Sequence, residues 1–137
     1  MMVLFADTFY YLALLSADDI AHSRAVRLSR GLPTRTITTA WVLTELADAL
    51  SDPASREKAV GLIERLRNNP TVTIIPPTQE LFDQGLALYA QRPDKGWSLT
   101  DCISFVVMRQ QGLIEALTGD RHFEQAGFKA LLTEGEE

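Results

Sequence analysis

A single cysteine, Cys102, and only two histidines, His22 and His122, occur in this chain of 137 residues. No intrachain disulfide or Cys-rich zinc centre can be built from that inventory, and two histidines are too few to argue for zinc. No apolar run approaches the ~20 residues that a membrane helix requires, and there is no low-complexity stretch, repeat or Gly/Pro/Ser-rich linker. Basic residues are also in deficit: 13 Lys and Arg stand against 18 Asp and Glu, for a net charge of −5. That balance excludes a protein that grips nucleic acid by bulk positive potential, although local basic ridges and bound cations can still hold RNA. A chain of this length is expected to form one domain over residues 1–137, burying about two thirds of its unfolded surface. The apolar opening has no basic residue before it and is interrupted by Asp7, so export is not expected and a cytoplasmic location is.

What the sequence does contain is an alternation of short β-branched runs and longer helical patterns. Val3 to Ala6 reads as a strand, Phe9 to Leu15 as a helix, and Ile20 to Arg30 as a second helix stopped by Gly31-Leu32-Pro33. Arg35 to Thr38 is a second strand, followed by a helix that Thr39 caps and that runs through Leu50. A helix over Ala54 to Arg67, a strand over Val72 to Ile75 and a helix capped by Thr78 come next. Ser98 then starts a helix through about Gln111, and Ala116 to Thr118 makes a further strand ending near Asp120. This order predicts an α/β fold of three layers, α/β/α, around a mostly parallel sheet of four or five short strands.

In such a sheet, ligands bind outside the carboxyl ends of the strands. Asp7 and Asp120 each follow a strand, Asp101 lies in the first turn of the helix before the last strand, and Glu45 lies about two turns into the helix after the second. Each acid has an ordinary explanation. Asp7 and Asp120 fit as helix N-caps, Ser98-Leu99-Thr100-Asp101 fits a capping box, and Glu45 fits a helix rim or a salt bridge. Taken together they predict one acidic pocket whose mutual repulsion only bound cations would offset. Mg²⁺ and Mn²⁺ prefer oxygen ligands and keep open positions for a phosphate, which makes phosphodiester hydrolysis the chemistry such a pocket serves best.

These segments resemble the PIN-domain nucleases, in particular the toxins of VapBC-type toxin–antitoxin pairs, over nearly the whole chain. Ala6-Asp7-Thr8 resembles the opening strand and first acid, and Asp18-Asp19 with His22 and Ala25 resembles the start of the second helix. Thr44-Glu45-Leu46 resembles the second acidic position, and Ser98-Leu99-Thr100-Asp101-Cys102-Ile103-Ser104-Phe105 the third. Leu117-Thr118-Gly119-Asp120-Arg121-His122-Phe123 with Gly127-Phe128 resembles the last motif. The third and last segments are the specific ones, and Cys102 stands where the family commonly has Ala. The resemblance implies a Mg²⁺- or Mn²⁺-dependent endoribonuclease acting on RNA, a homodimer, and inhibition by a small antitoxin protein. It makes Asp7, Glu45, Asp101 and Asp120 the expected catalytic and metal-binding acids, with Thr8, Ser98 and Thr118 as hydroxyls that orient a carboxylate or a bound water.

Other residues admit two readings each. His122 offers a phosphate contact or plain packing. Arg24, Arg27, Arg30 and Arg35 form an RNA-backbone ridge or a solvated helix face. Tyr10, Tyr11, Trp41 and Trp97 can stack bases, form a partner groove or fill the core. A phosphoacceptor signalling domain would need a Lys after a late strand, and Lys58, Lys95 and Lys129 do not occupy such a place. A PIN-like nuclease in RNA processing outside a toxin pair and a non-catalytic acidic binding module remain the alternatives.

Overall fold

The computed structural model describes residues 2–31 and 34–133. The elements run β1 (Met2–Ala6), α1 (Thr8–Leu15), α2 (His22–Ser29), β2 (Thr34–Thr39), α3 (Ala40–Ala49), α4 (Arg56–Arg67), β3 (Val72–Ile75), α5 (Gln79–Gln91), α6 (Leu99–Gln110), β4 (Glu115–Leu117), α7 (Arg121–Gln125) and β5 (Lys129–Ala130). The sheet has five strands in the order β3-β2-β1-β4-β5, and every pairing in it is parallel.

Side-chain alternation on β1 separates the two layers that cover the sheet. Leu4 faces Tyr10 and Tyr11 of α1, Leu28 of α2, and Leu62 and Leu66 of α4 across a shared cavity. Phe5 points the other way, to Phe123 of α7, whose ring meets Phe105 of α6 edge-on at 4.9 Å. Trp97 closes this second layer with an edge contact on Phe105 at 5.1 Å and a hydrogen bond from its indole N–H to Gln125. Tyr10, Tyr11 and Trp97 are all buried, so the core reading holds for these three aromatics and base stacking does not.

Local chemistry sets the helix starts. The hydroxyls of Thr39 and Thr78 accept the N–H groups of Val42 and Leu81, each at 3.1 Å, as N-caps do. Where element bounds differ from expectation, a turn has intervened. Asp19 accepts the Ala21 N–H, which holds Ile20 in an exposed turn and starts α2 at His22. The Asp52 carbonyl takes the N–H groups of Ser55 and Arg56, which starts α4 at Arg56 rather than Ala54. Leu32 and Pro33, the expected stop after α2, lie outside the described residues. The fifth strand is only Lys129–Ala130, too short to show as a pattern in sequence.

The strand order reverses between β1 and β4: the chain leaves β1 toward β2 on one side and leaves β4 toward β5 on the other. A crevice opens at such a switch point beyond the strand carboxyl ends. Asp7 follows β1 there, with its N–H on the Leu117 carbonyl at 3.3 Å, and Asp120 follows β4.

Candidate active site

Two acids arrive at this crevice from strand ends and two from helices. Asp7 has the backbone of an N-cap for α1, but its carboxylate makes no cap hydrogen bond. Instead Oδ2 accepts the Thr118 hydroxyl at 2.8 Å. Thr118, just beyond β4, also accepts the Asp120 N–H at 3.1 Å, so one hydroxyl ties the two strand-end acids together. Asp120 caps α7 through Oδ1, which takes the His122 N–H at 2.9 Å. Asp101 completes the expected capping box: the Ser98 hydroxyl accepts the Asp101 N–H, and Asp101 Oδ2 accepts the Ser98 N–H at 3.1 Å. Glu45 leans in from α3, where Thr8 at the start of α1 donates its hydroxyl to Oε1.

The sequence readings of cap and site are therefore compatible for Asp101 and Asp120, because a cap uses one carboxylate oxygen and leaves the other. Glu45, Asp101 and Asp120 all follow this pattern. In each, one oxygen takes the defined protein donors, and the second has no defined donor among the described residues. Of the three hydroxyls anticipated, Thr8 and Thr118 touch carboxylates directly, whereas Ser98 acts through its cap and its backbone N–H.

From sequence, His122 reads as a phosphate contact or a packing residue. Its ring instead sits against two of the acids, with Nδ1 2.9 Å from Asp101 Oδ2 and 3.4 Å from Asp120 Oδ1. The sequence signal was the Asp-x-His spacing at the start of a short helix, but the third partner, Asp101, comes from another helix. His22 is different: its Nδ1 lies 2.7 Å from the Ala13 carbonyl and joins α1 to α2.

Burial and mutual repulsion set the electrostatics of the cluster. Burial pushes the Asp7 carboxyl up from its ordinary 3.8 to about 7; the Thr118 hydroxyl and the Thr8 N–H oppose the rise, and the charges of Asp101 and Glu45 add to it. Burial also raises Glu45, with Thr8 opposing and Asp101, Asp120 and Asp48 adding. Asp101 is raised by burial and by Asp120, against the hydrogen bonds from His122 and Ser98. Acids that depress one another's ionisation share a field, and a cation between them would reverse the effect. Asp101, Asp120 and His122 can each place one ligand atom within 4.8 Å of the others. The carboxylate oxygens of this group suit a hard divalent ion such as Mg²⁺ or Mn²⁺, and the His122 ring lies beside them.

Comparison with known proteins shows the family and the fold. The PIN domain family model matches residues 4–129. Over 126 residues the chain is 30% identical to the "23S rRNA-specific endonuclease VapC20" of Mycobacterium tuberculosis, covering 92% of this chain and 95% of that protein. The crystal structure of VapC20, described as a "Sarcin-Ricin loop cleaving toxin", superposes with a TM-score of 0.83 over 91% of this chain and 95% of its own. VapBC-1 from nontypeable Haemophilus influenzae shares the fold at a TM-score of 0.64 and 15% identity, covering 95% of this chain and 98% of its own.

Proposed function

The chain belongs to the PIN-domain family, and from that premise we propose that it is a divalent-metal-dependent endoribonuclease that hydrolyses RNA phosphodiester bonds as the toxin of a type II toxin–antitoxin pair. The observation that carries this reading is the convergence of Asp7, Glu45, Asp101 and Asp120 in one electrostatic field at the switch point of the sheet.

These four acids are assigned as the metal-binding and catalytic residues, with Mg²⁺ or Mn²⁺ as the cofactor. When bound, the cation supplies Lewis acidity toward a water nucleophile and positive charge beside the scissile phosphate. The chain's own residues prepare the site. Thr118 and Thr8 pin Asp7 and Glu45, the capping box of α6 pins Asp101, and the turn into α7 pins Asp120. Rigid anchoring of this kind lowers the reorganisation needed when charge develops on the substrate.

By its likeness to VapC20 the substrate is the sarcin–ricin loop of 23S rRNA. The antitoxin partner is inferred from solved relatives that are VapBC assemblies. Residues 1–137 act as one PIN-like nuclease domain, as a homodimer in the cytoplasm; among the described residues no helix is long and apolar enough to cross a membrane.

The test is incubation of purified protein with an RNA hairpin carrying the sarcin–ricin loop and with a hairpin of scrambled loop, in Mg²⁺, in Mn²⁺ and in EDTA. Cleavage of the first hairpin, abolished by EDTA and by Asp101→Asn, is the expected result. Undiminished cleavage in EDTA or in the variant would refute the assignment of the acids. Equal cleavage of both hairpins would refute the choice of substrate.

A further inference from the structure

One residue holds one oxygen of each of two acids. The backbone N–H of His122 donates to Asp120 Oδ1 at 2.9 Å, while its ring Nδ1 stands 2.9 Å from Asp101 Oδ2. Those two aspartates come from α6 and from the turn before α7, elements that are joined in sequence through β4. Position 122 is itself fixed, because the next residue, Phe123, is fully buried between Phe5 and Phe105. The ring is therefore presented to the acids by a rigid anchor.

The consequence for Asp101 is specific. Its Oδ2 would otherwise be held only by the Ser98 N–H, a bond that draws the carboxylate toward the start of its own helix. The imidazole adds a second donor to the same oxygen from across the crevice, which fixes the rotation of the carboxylate and leaves Oδ1 without a defined donor. A carboxylate only accepts, so Nδ1 carries the hydrogen in either charge state of the ring. Among the described residues Nε2 has no hydrogen-bond partner; it faces Gly96, where a Cβ would stand 4.0 Å away.

We propose that His122 is a positioning residue that sets the orientation of Asp101 and its spacing from Asp120 through Nδ1, and that it is neither a metal ligand nor a phosphate contact. This rests on the reading of Asp101 and Asp120 as metal-binding acids. Loss of such an orienting donor typically weakens metal binding by about 10–100-fold.

The amide nitrogen of Asn occupies the place of Nδ1, and that of Gln the place of Nε2. Mn²⁺ and Mg²⁺ affinities of the metal-stripped protein, read by calorimetric titration, are to be compared for wild type, His122→Asn, His122→Gln and His122→Ala. The expected result is near wild-type affinity in His122→Asn and about 10–100-fold weaker binding in the other two, by the same factor for both ions. A loss much larger for Mn²⁺ than for Mg²⁺ would mean that the ring nitrogen is itself a ligand, since nitrogen donors favour the softer ion, and would overturn the proposal. Retention in His122→Gln with loss in His122→Asn would assign the role to Nε2 and overturn it too, as would unchanged affinity in all three. Absence of binding in wild type would overturn both this inference and the metal-dependent nuclease reading. Weaker binding confined to the His122 variants leaves the nuclease reading standing.

Discussion

At Asp7 the backbone is that of a helix cap while the carboxylate takes the Thr118 hydroxyl instead, so its charge is borne without the usual benefit of a cap. Its folded pKa of about 7 lies above the unfolded 3.8. The folded state therefore binds more protons than the unfolded state between those values, and stability falls as pH rises through that window. Asp7→Asn removes the charge and keeps an acceptor for Thr118. In metal-stripped protein it should raise stability at pH 8, on the order of a few kcal/mol at about 1.4 kcal/mol per pKa unit, and the gap should close toward pH 4; thermal melts across pH check this. Thr118→Val deletes a hydroxyl that donates to Asp7 and accepts from Asp120. It should cost about 1–3 kcal/mol of stability and also slow RNA cleavage, read by chemical denaturation and by rate. Much of this scale was hidden in the sequence. Caps are local and Ser98, Asp101 and Asp120 could be recognised as such, but the Thr118 to Asp7 bond spans 111 residues and the His122 ring finds Asp101 only after α6 and α7 have packed.

Between elements, α5 and α6 approach closely where a side chain is missing. Gly85 of α5 lies against Ile103 of α6, where a Cβ would collide with the Ile103 side chain and stand 3.2 Å from its backbone. Backbone cannot step aside as a flexible side chain can, so Gly85→Ala should destabilise by about 1–3 kcal/mol, despite the better helix propensity of Ala; urea unfolding measures it. Beside this contact Phe82 and Tyr89, one turn either side of Gly85, stay partly exposed with Leu86. The alternation of strands and helices was legible because β-branched runs and capped helical stripes have different periods. Element starts were less so: α2 and α4 begin later than their apolar patterns because Asp19 and Asp52 form turns first. Strand order cannot be read from periods at all, since it is settled by which helices cover which face.

Across the whole molecule, a net charge of −5 and a group of two buried and two half-buried acids oppose the approach of RNA, and divalent ions relieve both. As a cation site, this crevice carries a repulsion that the folded state tolerates until a metal arrives. The measurement that tests this most directly is the melting temperature of metal-stripped wild type and Asp7→Asn at pH 8, each with and without Mn²⁺. Mn²⁺ at about ten times its dissociation constant adds roughly 1.4 kcal/mol, or roughly 4–5 °C for a domain of this size. The variant should melt higher without metal, and Mn²⁺ should raise wild type by more than it raises the variant, so that the two converge or cross. Equal rises in both proteins, or no rise in wild type at millimolar Mn²⁺, would contradict the cation site.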